Sequence, residues 1–231
     1  MIKIGVLISG SGSNLQSIIE AVKRGEIAAE IALVISNDAA AYGLIRAQNA
    51  GIPTKVIKHV DYPDRHAFDR ELLRTLQESS IDLVVLAGFM RVLGAPFLAA
   101  FPDRVINIHP AILPSFPGTH GQAQAFAYGV KLAGCTVHFV DEEVDHGPII
   151  MQAAVPVLSN DSEERLAARI LRCEHKIFPR VLALYCAGNL RVKDRKVFIS
   201  GDAEELLEDQ CLISWPDLVI SDQSSVVSVG K

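Results

Sequence analysis

The sequence is short of cysteine, of excess positive charge and of long apolar segments. Its four cysteines include no C-x-x-C pair, which argues against a zinc ribbon or a thioredoxin-type site and favours reduced thiols in the cytoplasm. The formal net charge is −5 and the basic residues are dispersed, so neither nucleic acid nor a membrane surface is favoured as a partner. Apolar residues 1–8 form too short a segment for a secretion signal or a membrane span. We therefore expect a cytoplasmic protein without nucleic-acid or membrane partners.

The composition is that of an ordinary globular enzyme. Hydrophobic residues make up 49% of the 231 residues and charged residues 21%, a balance typical of one large domain or of one domain with a tail. The residues after about 195 differ, because they are first acidic and then rich in serine and valine without clear periodicity. We predict a domain over residues 1–194 and a C-terminal appendage over residues 195–231, with partial disorder of the appendage left open.

Apolar runs alternate with amphipathic stretches along the predicted domain. The run Ile2–Ile8 is followed by apolar residues at helical spacing, and this succession recurs up to a long helix that Asp161 can cap. Such alternation predicts an α/β fold with a twisted, mostly parallel sheet covered by helices on both faces. Residues 136–140 and 149–155 are predicted strands close enough in sequence to pair antiparallel, so one antiparallel strand is expected late in the sheet.

A glycine-rich loop, Gly10 to Leu15, follows the first predicted strand. It begins like a dinucleotide fingerprint, but Leu15 stands where the third glycine belongs, so a nicotinamide cofactor is disfavoured. A single phosphate group fits better, since the loop places backbone N–H groups at a helix N-terminus, where the helix dipole also favours an anion. A tight turn capped by Ser13, with no ligand, is the alternative.

An amide, an imidazole and a carboxylate lie beside two later apolar runs. Asn107 and His109 end a predicted strand two residues apart, so their side chains project to the same side. The carboxyl ends of strands are where open α/β sheets bind ligands. Asp145 lies on a tight turn before another predicted strand, and no serine or cysteine accompanies the three residues, which indicates acid/base chemistry without a covalent intermediate. A buried structural histidine and a turn-capping aspartate are the alternatives.

Three further parts of the sequence are weaker candidates for ligand contacts. The segment from Gly88 to Leu93 follows a predicted strand and could wall a flat ligand, although an ordinary strand-to-helix connection is the alternative. Arg65 could bind a carboxylate and Glu174 sugar hydroxyls, but such residues are more often solvent-exposed.

A metal site is disfavoured. His120 and His138 could be combined with His109 and Asp145 into a ligand set, but the spacing matches no familiar pattern. Cys135 has no obvious activating base near it in the sequence, so we expect it to pack rather than to react.

Taken in order, these motifs resemble the phosphoribosylglycinamide formyltransferase family, folate-dependent enzymes of purine synthesis. The resemblance runs from about residue 2 to about residue 194. It rests on residues 8–15 (I-S-G-S-G-S-N-L), 84–91 (V-V-L-A-G-F-M-R), 106–110 (I-N-I-H-P) and 145–148 (D-H-G-P). The last two segments mark formyltransferases in general, whereas G-S-G-S-N points to the glycinamide enzymes. The implied architecture is the Rossmann-like formyltransferase fold.

The resemblance implies that the amine of glycinamide ribonucleotide attacks the formyl carbon of 10-formyltetrahydrofolate, which is the co-substrate, without a metal. The implied catalytic residues are Asn107, His109 and Asp145. The implied ribonucleotide ligands are Gly12, Ser13 and Asn14 at the phosphate and Glu174 at the ribose hydroxyls. The implied folate-binding residues are Arg65 at the glutamate carboxylate, Met90, Arg91, Val92 and Leu93 at the pterin, and Asn107, Asp141 and Asp145, of which the last two belong to a loop that closes over the pterin.

The chemistry of the three catalytic candidates fits this reaction independently. Attack on the formyl group creates a tetrahedral intermediate, and the amide of Asn107 and a protonated His109 can donate hydrogen bonds to its oxyanion. We expect Asp145 to favour the imidazolium and so to raise the pKa of His109. Asp145 can also help to move the amine's proton towards the folate nitrogen.

Related activities remain as alternatives. A formyltetrahydrofolate deformylase would deliver water, but it normally carries an extra N-terminal domain, whereas the first predicted strand here begins at residue 2. A methionyl-tRNA formyltransferase normally adds a basic C-terminal domain, whereas the residues after 195 are acidic. A non-catalytic nucleotide- or folate-binding module is disfavoured by the intact Asn107, His109 and Asp145. We expect small-molecule substrates as partners and a monomer or homodimer.

Overall fold

The computed structural model describes residues 1–200, which form a seven-stranded sheet with helices on both faces and a separate two-stranded hairpin. The strands are β1 (Ile2–Ile8), β2 (Ala29–Ser36), β3 (Thr54–Val56), β4 (Leu83–Leu86), β5 (Val105–His109), β6 (Leu132–Phe139), β7 (Ile149–Pro156), β8 (Leu190–Lys193) and β9 (Lys196–Ile199). The helices are α1 (Ser13–Lys23), α2 (Tyr42–Asn49), α3 (Arg65–Glu78), α4 (Ala95–Ala100), α5 (Gly121–Tyr128) and α6 (Glu163–Cys186).

The order of the strands confirms the predicted topology. The sheet runs β3-β2-β1-β4-β5-β6-β7, and β1 to β5 pair in parallel. Strand β6 is antiparallel to both β5 and β7, so it is the one reversed strand of this sheet. Strand β1 lies between β2 and β4, which is where the strand order changes direction. A crevice at the carboxyl ends of the strands therefore opens at this point.

The two faces of the sheet bury separate apolar clusters. In β1, Val6 and Ile8 pack into a cluster that α1, α2, α5 and α6 complete. Leu7 points to the other face and joins residues of α3 and α4. Alternation along a strand that is covered on both sides explains why this segment is a continuous apolar run. Full burial of each such aliphatic side chain stabilises the fold by about 1.5–3 kcal/mol.

The start of α6 corrects one prediction about capping. Ser162, not Asp161, is the N-cap, and its hydroxyl accepts a hydrogen bond from the backbone N–H of Arg165. Both carboxylate oxygens of Asp161 are instead bound by Arg169, each at 2.7 Å. This bidentate pair lowers the pKa of Asp161. The competing arginine, which lies two helical turns away, is the physical reason for the difference.

The C-terminal part of the described chain is a hairpin of β8 and β9. The predicted boundary after residue 194 falls in its turn, between Lys193 and Lys196. The rest of the predicted appendage, residues 201–231, lies outside the described residues, as does the question of its disorder. Within residues 1–200, no helix is both long enough and apolar enough to span a bilayer.

Gly134 is required by the close approach of β6 and β7. A Cβ atom built there would lie 1.9 Å from the carbonyl oxygen of Ala153. We expect Gly134→Ala to lower the free energy of unfolding by about 1–3 kcal/mol, because the two backbones must separate. Urea unfolding measures the change. The matched control is Gly10→Ala, whose new Cβ meets no heavy atom within 4 Å, and equal midpoints for the two variants would contradict this prediction.

Candidate active site

A cleft of about 620 Å³ lies at the carboxyl ends of β4 and β5. It brings together the three predicted catalytic residues and most of the residues that the resemblance assigns to the folate. These residues are Met90, Arg91, Val92, Leu93, Asn107, His109, Asp141 and Asp145. The side chains that sequence reasoning grouped from three separate segments therefore share one cavity.

Strand β5 positions Asn107 and His109. Their two-residue spacing turns both side chains into the cleft, as the alternation along a strand requires. His109 is only 4% exposed. The neighbouring β6 places His138 directly opposite Asn107 in the antiparallel register.

Asp145 completes the group from the loop between β6 and β7. Its backbone is left-handed, with φ of 53°, and two residues later Gly147 packs so tightly that a Cβ would lie 1.9 Å from the Phe139 carbonyl oxygen. The Asp145 carboxylate accepts a hydrogen bond from the Gly118 N–H at 2.7 Å. Its Oδ2 lies 3.2 Å from His109 Nδ1, and its Oδ1 lies 3.4 Å from Asn107 Nδ2. Asp145 therefore contacts both of the other predicted catalytic residues.

The environment of His109 corrects the expected direction of its pKa. Burial lowers this pKa below its ordinary value, and the nearby His138 acts in the same direction. The Asp145 carboxylate and the Phe116 carbonyl oppose the shift without reversing it. The expectation that Asp145 raises the pKa was right for that one contact and wrong for the net shift, because desolvation is the larger effect.

The hydrogen-bond partners of His109 nevertheless suit a protonated ring. Nε2 lies 2.8 Å from the Phe116 carbonyl oxygen, and Nδ1 lies 3.2 Å from Asp145. The Phe116 oxygen and the Asp145 carboxylate are both acceptors. In either neutral tautomer one ring nitrogen carries no hydrogen, so it cannot donate to the acceptor that it faces. The imidazolium alone donates to both. Burial makes that imidazolium a stronger acid, which is the property that a proton donor needs.

The Asp145 carboxyl is held in its ionised form. Burial on its own would raise its pKa, but the neighbouring His138 ring, the hydrogen bond from the Gly118 N–H and the positive charge available on His109 together outweigh burial and lower it. A carboxylate is therefore present in the cleft at neutral pH.

His138 is a site residue that the sequence analysis considered only as part of a metal site. It is 1% exposed, and its Nδ1 donates to the backbone carbonyl of Phe139 at 2.7 Å. Its Nε2 is then an acceptor for Asn107 Nδ2 at 3.1 Å. His138 thereby fixes which side of the Asn107 amide faces the cleft. Writing out the antiparallel pairing of β5 and β6 residue by residue would have placed His138 beside Asn107.

The glycine loop forms a second group of polar residues. Gly12 is the N-cap of α1 in a left-handed conformation, with φ of 67°. The first hydrogen bond of the helix runs from Gln16 N to Gly12 O, so the N–H groups of Ser13 and Asn14 precede the helical ladder. The structure does not support Ser13 as a side-chain cap, because the cap makes no side-chain hydrogen bond.

Glu174 of α6 closes this second group. Asn14 Nδ2 donates to Glu174 Oε2 at 2.7 Å, and both side chains are buried, with exposures of 8% and 5%. Burial raises the pKa of Glu174 and the Asn14 hydrogen bond opposes the shift. Arg46, which sequence analysis did not single out, donates to the Ser11 carbonyl at 2.9 Å and brings a positive charge to the loop. No motif surrounds Arg46 in the sequence, so only the fold identifies it.

The two groups are linked through the end of β1. The hydroxyl of Ser9 accepts a hydrogen bond from Met90 N at 2.8 Å, and Ser9 N donates to the Gly88 carbonyl at 3.1 Å. The glycine loop and the wall of the cleft are therefore fixed to each other. Arg65 does not line the cleft, but its Nε lies 3.9 Å from where a Cβ on Gly94 would be, which places it beside the end of the 90–93 segment.

The described residues 1–200 contain no group of three or more His, Cys, Asp and Glu side chains arranged to hold a metal ion. Cys135 is buried, and burial raises the pKa of its thiol well above the usual range. A buried, protonated thiol is a poor nucleophile, which supports the packing role expected for Cys135.

Comparison with known proteins confirms the resemblance inferred from the motifs. A family model described as Formyl transferase matches residues 2–182. The chain is 44% identical to the phosphoribosylglycinamide formyltransferase of Escherichia coli (strain K12), over 86% of this chain and 93% of that protein. It is 53% identical to the trifunctional purine biosynthetic protein adenosine-3 of Drosophila pseudoobscura pseudoobscura, over 82% of this chain. This chain spans only 14% of the length of that relative.

A solved structure shares the fold. The crystal structure of glycinamide ribonucleotide transformylase 1 from Symbiobacterium toebii superposes with a TM-score of 0.86 at 52% identity, and the match covers 87% of this chain and 95% of that one. The family match extends over most of the described residues and includes the cleft and the glycine loop. The chain therefore belongs to the formyl transferase family.

Proposed function

We propose that this protein transfers the formyl group of 10-formyltetrahydrofolate to the amine of N1-(5-phosphoribosyl)glycinamide, a step of purine biosynthesis. The observation that carries the proposal is the contact of Asp145 with both Asn107 and His109 in one cleft. The anion-binding geometry of the glycine loop, fixed to the wall of the same cleft through Ser9, supports a phosphorylated acceptor. The relatives named for this reaction support the choice of substrates.

The reaction begins with attack of the amine on the formyl carbon, which places negative charge on the formyl oxygen. Asn107 Nδ2 and the His109 imidazolium donate hydrogen bonds to this oxyanion. One hydrogen of the Asn107 amide makes only a long, 3.4 Å contact with Asp145. This hydrogen can therefore donate to the oxyanion at little cost. For His109 to donate through Nε2, the formyl oxygen takes the place of the Phe116 carbonyl. The charge on the oxyanion then strengthens the bond to His109 in the transition state more than in the ground state.

Asp145 supplies the negative charge of the site. It stabilises the His109 imidazolium across 3.2 Å. As a carboxylate at neutral pH, it is also the base that accepts a proton from the attacking amine and passes it, directly or through water, to the folate nitrogen that leaves. No acyl-enzyme is required, because the amine attacks the formyl group itself.

The ribonucleotide is bound by the glycine-loop group. Gly12, Ser13 and Asn14 present backbone N–H groups to the phosphate, and the dipole of α1 adds to the attraction. Glu174 accepts hydrogen bonds from the ribose hydroxyls, with Asn14 holding the other side of its carboxylate.

The folate lies in the cleft. Met90, Arg91, Val92 and Leu93 hold the pterin through their backbone groups, and Asp141 and Asp145 belong to the loop that covers it. Arg65, beside Gly94, meets the glutamate carboxylate at the end of this wall. We place the reaction in the cytoplasm, with small-molecule substrates as the partners of a monomer or homodimer.

Binding of the ribonucleotide depends on Glu174 in this arrangement. We expect Glu174→Ala to weaken glycinamide ribonucleotide binding by about 10- to 100-fold, because charged hydrogen bonds to the ribose are lost. Isothermal titration calorimetry with the ribonucleotide measures the dissociation constant, and formyl-folate affinity stays near that of the wild type. Glu163→Ala, at the exposed start of the same helix, is the matched control. Unchanged ribonucleotide affinity in the Glu174 variant would remove this residue from the site.

The choice of acceptor tests the function as a whole. The protein is mixed with 10-formyltetrahydrofolate and, separately, glycinamide ribonucleotide, water alone or methionyl-tRNA, and the absorbance of the folate product is followed. The proposal predicts rapid product formation only with the ribonucleotide. Equal rates without any amine would identify a deformylase, and a requirement for tRNA would identify a tRNA-modifying enzyme.

A further inference from the structure

The loop between β6 and β7 is closed at its base by contacts between its own two ends. Asp141 Oδ2 lies 2.9 Å from His146 Nδ1, and Asp141 Oδ1 accepts a hydrogen bond from Glu143 N at 3.1 Å. Gly147 follows directly and packs against the Phe139 carbonyl. Asp145 precedes His146 in the chain, so holding the His146 backbone also holds the backbone that carries Asp145.

A residue of the C-terminal hairpin reaches this base. Arg195 lies in the turn between β8 and β9, and β9 lies against β7. One guanidinium nitrogen of Arg195 donates to the His146 carbonyl oxygen at 2.5 Å. A second nitrogen lies 2.8 Å from His146 Nε2 and 3.0 Å from Nδ1 of the same ring. The contact joins residues 49 positions apart in the chain.

The hydrogen bonds form a consistent chain of donors and acceptors. Arg195 donates to Nε2 of His146, and Nδ1 of the same ring donates to the Asp141 carboxylate. The planar guanidinium suits this double contact, since it presents donors in a fixed fork to the ring nitrogen and to the backbone carbonyl. A lysine offers only one compact charge at the same place.

We propose that Arg195 is a positioning residue, which fastens the hairpin to the base of the 141–147 loop and thereby holds Asp145 in its contacts with His109 and Asn107. The inference rests on the proposed function, because that function makes the loop the cover of the folate. It gives the β8–β9 hairpin a role in the reaction, although neither of its strands contributes to the main sheet.

The test compares two arginines of the same hairpin. Arg195→Ala is expected to lower kcat and to raise the KM for formyl-folate, each by about 3- to 10-fold, the scale of a lost charged hydrogen bond at an exposed position. The KM for the ribonucleotide stays unchanged. Arg191→Ala is the matched control, since Arg191 lies over the Phe198 ring. This variant is expected to leave the KM values for both substrates unchanged. Arg195→Lys is expected to restore part of the formyl-folate affinity.

Hydrogen exchange provides a readout that does not depend on activity. In Arg195→Ala, amides of residues 141–147 exchange faster than in the wild type, whereas those of β4 and β5 do not change. Unchanged loop exchange and an unchanged KM in Arg195→Ala would overturn the proposal even if the wild type transfers formyl groups. Faster loop exchange in Arg195→Ala, together with a wild type that transfers no formyl group, would instead retain the fastening contact and reject the proposed function.

Discussion

Asp145→Asn is expected to lower turnover by about 10²–10⁴-fold, the scale of a lost acid/base group. The amide keeps the size of the side chain and can still accept from the Gly118 N–H, so the fold and the cleft remain. What is lost is the carboxylate that faces His109 Nδ1 at 3.2 Å and that we propose as the acceptor of the amine's proton. Steady-state kinetics with saturating formyl-folate and ribonucleotide measure the change.

The same variant changes the pH dependence in a defined direction. Asp145 acts to raise the pKa of His109 against the effect of burial, so its neutralisation lowers that pKa further. In the proposed mechanism the active form carries a proton on His109, so activity is lost as the pH rises through this pKa. In Asp145→Asn the alkaline limb of kcat/KM moves to lower pH.

The control for this prediction is Glu143→Gln. It removes a negative charge from the same loop, but its carboxylate is exposed and its ion-pair partner, at 3.9 Å, is His146 rather than His109. Turnover near that of the wild type is expected. If Asp145→Asn kept wild-type turnover, or if Glu143→Gln lost as much as Asp145→Asn, Asp145 would have no specific part in proton transfer.

His109→Ala is the second variant with a large expected effect. The oxyanion loses its charged hydrogen-bond donor, and turnover is expected to fall by about 10²–10⁴-fold. The substitution also removes the positive charge that helps to keep the Asp145 pKa low. Pre-steady-state measurement of formyl transfer separates this loss from any effect on product release.

The double variant His109→Ala with Asp145→Asn tests whether the two residues act together. Because the ring and the carboxylate are in contact, the second substitution is expected to add little to the loss caused by the first. The controls are the two single variants at the same pH. Losses that multiply would show independent roles and would contradict the coupled arrangement.

Much of the catalytic group could be predicted from the sequence, because local rules determine it. Strand alternation alone placed Asn107 and His109 on one side, and the structure confirms that both line the cleft. That Asp145 meets them was expected from its turn and from the family resemblance. The contact itself depends on a left-handed backbone and on the close packing of Gly147.

What the sequence did not provide depends on burial and on distant pairings. The net pKa shift of His109 was predicted in the wrong direction, since a neighbouring charge can be identified from a motif, whereas desolvation depends on the whole fold. The role of His138 follows from its register opposite Asn107. Asp161 was expected to cap α6, but its carboxylate is bound by Arg169, which lies within α6. In each case the decisive partner lies on another element or two helical turns away.

The most direct test of the account follows the formyl carbon itself. Enzyme in excess is mixed with ¹³C-formyl tetrahydrofolate and glycinamide ribonucleotide, and the reaction is quenched within one turnover. The protein, the ribonucleotide and free formate are then separated, and mass spectrometry measures the label in each. Direct attack by the amine predicts that the label enters the ribonucleotide as fast as the folate product forms, while the protein gains no formyl mass. A labelled protein that precedes the labelled ribonucleotide, or labelled formate formed at the same rate without the amine, would contradict it.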